Sequence, residues 1–214
     1  MGAEVRMTQR QERAAQTRRR ILEVAIEEFS VKHYDEVAVS DIAAAAEVAH
    51  GMPFHYFESK RGLYRAAMRE AAASWEAALQ GDPTLPPGAR MRQMYANQLK
   101  YLAEHKGLAT RLLLGGEGAD PQAWEYFEQS RWRLIEWACT ALGLDSTSPA
   151  LRMMMRAAAA ALDRAAALWD ENGQPFDVGV LSEVLFEQTV TALEGAARLD
   201  PSLNVERAVE LLQA

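Results

Sequence analysis

The sequence predicts an all-α protein: a small N-terminal helical unit followed by a larger helical body. Two observations carry this. Ala, Leu, Glu, Arg, Gln and Met recur along all 214 residues, while runs of Val, Ile, Thr and Tyr are nearly absent; the first set are strong helix formers and the second favour strands. Apolar residues also return at spacings of three and four, the signature of helices with one buried face.

Composition narrows the class. About half the chain is apolar (49%) and a quarter charged (25%), an ordinary globular balance. There is one cysteine, Cys139, so no internal disulfide forms and a reducing, cytoplasmic setting is expected. No uncharged apolar run reaches the ~20 residues that span a bilayer, so no membrane partner is expected. The opening "MGAEVRMTQRQERAAQ" lacks the apolar core of a signal peptide, and Arg6 occupies the Ser/Thr place of a myristoylation pattern. Net charge is −7, but residues 1–70 hold eleven basic and eleven acidic side chains, so the whole excess lies in the body. Residues 6–20 carry six arginines against Glu12 alone. A basic arm (1–16), a neutral first third and an acidic body suggest parts with different partners.

Each element follows from local pattern. "TRRRILEVAIEEFS" places Ile21, Leu22, Ala25, Ile26 and Phe29 on one helical face. Ser40 before "DIAAAAEV" predicts an N-capped short helix over about 41–47. After the turn "VAHG" comes a short helix over about 51–57. Pro53 belongs in its first turn, where a missing N–H costs nothing, so this helix starts late, near His50–Gly51. Ser59 caps a longer helix over about 60–80, with Leu63, Tyr64, Ala67, Ala71, Trp75 and Ala78 along one stripe. "GDPTLPPG", 81–88, is a linker and separates a 17–80 unit from an 89–214 body. In the body, helices are predicted over about 89–105, 107–114, 122–142, 149–171 and 178–198, with a short final helix in "PSLNVERAVELLQA".

A helix, two short helices about a tight turn, then a capped helix is a helix-turn-helix arrangement. The segment "ILEVAIEEFSVKHYDEVAVSDIAAAAEVAHGMPFHYFESKRGLY" resembles the DNA-binding segment of the TetR family of bacterial transcriptional regulators. Phe29, Tyr34, Ile42, Ala43, Ala46, Val48, Gly51, Phe54, Tyr56, Phe57, Ser59, Lys60 and Leu63 fall in that family's register, over about residues 17–68. Three positions depart from it. His33 and Glu47 stand where the family usually has Gly, at turns that can require positive φ. A small local strain is expected there, which Glu47→Gly should relieve. Pro53 replaces an aliphatic residue, and Phe54 stands where Tyr is common.

The resemblance implies a helix-turn-helix DNA-binding domain followed by a helical ligand-binding and dimerisation bundle. His50, Met52 and His55 are candidates for base-edge contact, with Met52 or Pro53 against a thymine methyl. Gly51 and Phe54 belong to the same recognition helix. Ser40, Tyr56 and Lys60 are candidates for phosphate contacts, and Arg18, Arg19 and Arg20 for backbone or minor-groove contacts. Two solvated surface histidines are the bland alternative for His50 and His55. A metal is not expected: their spacing is poor for one helical face, and neither Cys nor further His lies nearby.

In the body, the resemblance implies that the last two long helices pair with their copies in a homodimer. Ala157–Ala161, Ala192, Gly195 and Ala196 suit close helix approach there, though plain core packing reads the same way. Tyr95, Leu99, Phe127, Met154 and Met155 are candidates for an apolar effector pocket. Arg131 falls on the apolar side of its helix; a buried arginine needs a partner, either an anionic ligand or an internal carboxylate such as Asp163. Cys139 in apolar company reads as an inert buried thiol before a redox sensor. No nucleophile–base pair, metal cluster or cofactor loop is present, so neither an enzyme nor a cofactor is expected; "GGEGAD" lacks the Gly-Lys-Ser/Thr of a phosphate loop. The expected function is a ligand-released repressor on a near-palindromic operator. The rival reading is a helical protein-interaction module without sequence-specific DNA binding.

Overall fold

The computed structural model describes residues 8–105 and 120–213, which are helical with no strand among them. The short helix predicted over 107–114, most of the Gly-rich stretch after it and the start of the basic arm lie outside the described residues. The chain divides into two compact units; among described residues the first takes 8–71 and 120–124, the second 72–105 and 125–213. The division falls inside two helices, after residues 71 and 124, rather than at the 81–88 linker; Ala72, Trp75 and Leu79 are buried and fall in the second unit.

In the first unit, α1 (Gln9–Val31) begins well before the predicted Thr17. Thr8 and Gln11 form a capping box: the Gln11 N–H donates to Thr8 Oγ1 (3.4 Å) and the Thr8 N–H to Gln11 Oε1 (2.8 Å). Much of the expected arm is therefore the first turns of a helix. A 3₁₀ turn follows at Tyr34–Glu36. His33, before it, is extended at φ −63°, so the strain expected there is absent. Phe29, Tyr34 and Tyr64 interlock, with centroids 4.8 Å (Phe29–Tyr64) and 5.0 Å (Tyr34–Tyr64) apart and edge-to-face.

Helix α2 (Val39–Ala45) starts at Val39, and Ser40 is not its cap. Burying Val39 with Ile42 and Ala43 draws the first turn back, leaving Ala38 at the N-cap with no side-chain bond. The Ser40 hydroxyl instead donates to Asp41 Oδ1 (3.3 Å). The helix closes through Glu47 N–H to Ala44 C=O and Val48 N–H to Ala43 C=O, both 3.0 Å. This closure sets its one left-handed residue, Glu47, at φ 50°. The same closure ends two later helices on Gly143 (φ 71°) and Gly173 (φ 75°). Glu47→Gly is therefore expected to stabilise the protein by about 0.5–1 kcal/mol, read as a higher urea midpoint at unchanged slope. A lower midpoint would mean the Glu47 side chain makes a contribution larger than its strain.

Helix α3 (Met52–Phe57) starts late, with Gly51 at its N-cap and Pro53 in its first turn, as the missing proline N–H requires. Helix α4 (Lys60–Leu79) follows almost at once, and the Gly62 N–H donates to Ser59 Oγ (3.0 Å). Of the predicted α4 stripe, Leu63, Ala67, Ala71 and Trp75 are buried, while Leu79 takes the place of the exposed Ala78.

The second unit holds the end of α4 with α5 (Pro87–Glu104), most of α6 (Pro121–Ala141), α7 (Pro149–Glu171), α8 (Val178–Leu199) and α9 (Glu206–Gln213). Ser148 caps α7 at the Leu151 N–H, and Asp177 caps α8 at the N–H groups of Gly179 (2.9 Å) and Val180 (3.1 Å). The most extensive helix pairing is α7 on α8. Gly195 leaves the space that the end of the Met154 side chain fills: a Cβ there would lie 2.7 Å from Met154 Cε. Ala192, Gly195 and Ala196 are buried inside the chain, so these small residues serve its own core rather than an outer surface.

Candidate nucleic-acid interface and an internal cavity

The α2–turn–α3 segment presents a row of side chains to solvent. His50, Gly51 and His55 are exposed, Phe54 is 42% exposed, and Met52 and Tyr56 are half-buried. Pro53 is buried instead: its ring packs within the unit, which corrects its expected contact with a thymine methyl. A Cβ built on Gly51 meets nothing within 4 Å, so the backbone there is open to close approach.

Arg18, Arg20 and Lys60 are held by the unit itself. Arg18 lies 5.0 Å from the Phe57 ring centroid, and Arg20 donates to the Glu47 carbonyl (3.3 Å). Lys60 donates to the Asp35 carbonyl (3.3 Å) and sits 4.6 Å from the Tyr34 ring centre. Arg19 is exposed. Ser40 is exposed on α2.

Three features of this unit are absent from the sequence reading. Gly62 is required by contact: a Cβ there would stand 2.1 Å from the Phe57 carbonyl oxygen. Glu58, ending α3, is held at φ 67° by the same tight turn. Asp120 accepts from Arg61 Nε (2.9 Å) and from Arg65 Nε, which holds its carboxyl well below the usual carboxylate range. The pair Gly51→Ala and Gly62→Ala separates contact from fold. Gly62→Ala is expected to cost about 1–3 kcal/mol of stability, because backbone must move. Gly51→Ala should leave the thermal midpoint unchanged and weaken only duplex binding. Equal thermal midpoints for both would show that the α3–α4 turn yields freely.

In the second unit a cavity of about 90 Å³ opens between α4, α5, α6 and α7. Tyr95, Arg131 and Met155 line it. Leu99, Phe127 and Met154 do not. Leu99 and Phe127 are fully buried in the core, and Met154 is turned toward Gly195. Trp75, Gln98, Trp137 and Asp163 line it although no sequence pattern singled them out for a pocket. Arg131 donates from Nε to Asp163 Oδ2 (2.8 Å) and from Nη1 to Glu128 Oε1 (2.7 Å), and Arg156 meets the same Glu128 oxygen at 2.7 Å. Gln98 Nε2 donates to Asp163 Oδ1 (2.6 Å). Burial raises the Asp163 carboxyl above its ordinary value, against the opposite pull of Arg131 and Gln98. The internal carboxylate is thus the Arg131 partner. Cys139 is buried and its thiol is pushed up by burial, the state of an inert thiol.

Residues 21–67 match the family model described as bacterial regulatory proteins, tetR family. The A-factor receptor protein of Streptomyces griseus is 29% identical over 133 residues, 59% of this chain but 46% of that protein, so the match spans about half the relative's length. The fold matches a tetR-family transcriptional regulator from Streptomyces coelicolor (TM-score 0.77, 21% identity, 93% of this chain and 89% of the other). It also matches the transcriptional regulator FadR from Bacillus subtilis, solved with stearoyl-CoA (TM-score 0.66, 17% identity, 81% and 98%). Among described residues, no helix is long and apolar enough to cross a membrane, and no group of three or more His, Cys, Asp or Glu is placed to hold a metal.

Proposed function

We propose that this chain, which over residues 21–67 belongs to the tetR family of bacterial regulatory proteins, is a homodimeric regulator that binds duplex DNA through α3 and is released by a small molecule in the second unit. The observation that carries the reading is the exposed α3 row, set by a tight turn inside the segment that matches the family. An N-terminal helix end with exposed side chains is what enters a major groove. His50, Met52 and His55 then read base edges. Ser40, Tyr56, Lys60 and Arg18–Arg20 position the phosphate backbone. The hold that Tyr34 and Asp35 keep on Lys60, and Phe57 and Glu47 on Arg18 and Arg20, pre-organises these cations near α3.

The homodimer uses the outer face of α7 and α8. Met153 (56%) is exposed on α7, with Ala157 and Ala160 at helical spacing from it, and Val180 (63%) and Val184 (52%) are exposed on α8. Such an apolar face on two packed helices fits a two-fold four-helix contact, which spaces two recognition helices for a near-palindromic site. The effector prefers a conformation in which that spacing is wrong, and its differential affinity sets how far the equilibrium moves.

Site selection from a random duplex pool at near-physiological salt tests the reading, and a palindrome-like site is the expected result. No enrichment would favour a protein-interaction module. On the selected site, His55→Ala is expected to cost about 1–3 kcal/mol and relax one base position, whereas Lys60→Ala should weaken all sequences alike. Equal losses on specific and random duplex for both variants would reverse these roles.

A further inference from the structure

We propose that Phe54 reads a thymine methyl group, so that each half-site of the operator carries a T·A pair opposite the start of α3. This rests on the reading of α3 as the helix that enters the major groove. Three observations lead to it. First, the Phe54 ring is on the surface and packs with no other ring. It is 42% exposed, and among the described residues of the first unit only Val31 is another large apolar side chain so exposed. Its apolar neighbours on α3, Pro53 and Phe57, are buried. Tyr56 lies edge-on to His55 (centroids 5.2 Å) and beside Phe57 (6.3 Å), whereas Phe54 meets no ring among the described residues.

Second, the helix surface beside Phe54 is open. A helical side chain leans over the turn N-terminal to its own Cα. The residue one turn before Phe54 is Gly51, and a Cβ built there meets nothing within 4 Å. No side chain at 51 therefore stands between the ring and a base pair at the start of α3, the end that enters a groove. Third, the ring has neither donor nor acceptor, so it cannot bond a phosphate or a polar base edge. The C5-methyl of thymine is the apolar group that a base pair presents in the major groove. Contact removes apolar surface from water on both the ring and the methyl. Pro53 is turned inward and Met52 is half-buried, which leaves Phe54 as the exposed apolar side chain of α3.

The test uses the full-length protein and the duplex selected from the random pool. Each thymine of one half-site is replaced in turn by deoxyuridine, which keeps every hydrogen bond of the base and removes only its methyl. Binding is measured at near-physiological salt. One position is expected to weaken by about 3–5-fold, the effect of one buried methyl. Phe54→Ala should bind the thymine duplex more weakly and make no distinction between thymine and deoxyuridine at that position. Because the ring is exposed, the thermal midpoint of Phe54→Ala should match the parent, which places the change in the contact and not in the fold. A Phe54→Ala protein that keeps the thymine preference would overturn the proposal, as would a preference lost in Met52→Ala and kept in Phe54→Ala. A selected site without any methyl-sensitive position rejects the Phe54 assignment and leaves the regulator intact. Failure to select any site rejects the regulator and this assignment with it.

Discussion

Arg131→Met is expected to destabilise the second unit by about 3–5 kcal/mol, the usual result of removing one partner from a buried ion pair. The size follows from what is left behind. Asp163 and Arg131 are both buried, and Asp163 keeps only the Gln98 amide once the guanidinium is gone. Arg131 also lies 5.7 Å from the Trp75 ring centre, so its loss loosens the cavity wall. The pH dependence has a definite sign. A carboxyl whose folded pKa is raised binds more protons folded than unfolded, so stability falls as pH rises through that range. Burial already raises Asp163, and removing Arg131 raises it further. Urea midpoints of the variant should therefore recover toward the parent as the pH is lowered from neutral and Asp163 takes a proton. Adding Asp163→Asn should restore most of the loss at neutral pH, since the amide is neutral and still accepts from Gln98. A double variant no better than Arg131→Met would mean that the arginine's packing, not the stranded charge, sets the loss.

What was legible in the sequence is what local chemistry determines. The late start of α3 follows from the missing N–H of Pro53, and the left-handed Glu47 from a register in which Gly is usual. That Arg131 is buried and needs a partner follows from an arginine in phase with Phe127, Ile135 and Ala138, whereas the choice of Asp163 over an anionic ligand came from the fold. Positions decided by tertiary contact were not legible. Ser40 and Asp41 are both good first-turn residues, and only burial of Val39 shows that the helix has already begun before them. Gly62 and Glu58 answer to the approach of the Phe57 carbonyl, which has no sequence pattern. Asp120 meets Arg61 and Arg65 across more than fifty residues of chain. Met154 and Met155 are one helical step, about 100°, apart, so one lines the cavity and the other packs on α8. Small residues on α8 read equally as an inner or an outer surface, and the position of Met154 decides for the inner one.

Val184→Glu is expected to turn a dimer into a monomer and weaken operator binding by about 10²–10⁴-fold. That factor is the usual gain of joining two half-sites through one linked binder. Val184 is half-exposed on α8, one turn from Val180, with Glu183 and Glu187 beside it. In a two-fold contact the new carboxylate meets its own copy or nearby acids; the adjacent Arg92 already holds Glu183 (3.2 Å), so no counter-charge is built for the added one. The protomer itself should remain folded, because the Val184 side chain contributes little to the core of its own chain. Sedimentation at micromolar concentration would then give 23.8 kDa instead of twice that mass. Val31→Glu is the control: Val31 is equally exposed, at 60%, but lies at the end of α1, so its variant should stay dimeric. The two readouts must move together. A monomer that still holds the full palindrome at parental affinity would show that the half-sites are read independently. A Val184→Glu protein that stays dimeric would move the interface away from the α7–α8 face, and with it the spacing on which release by an effector depends.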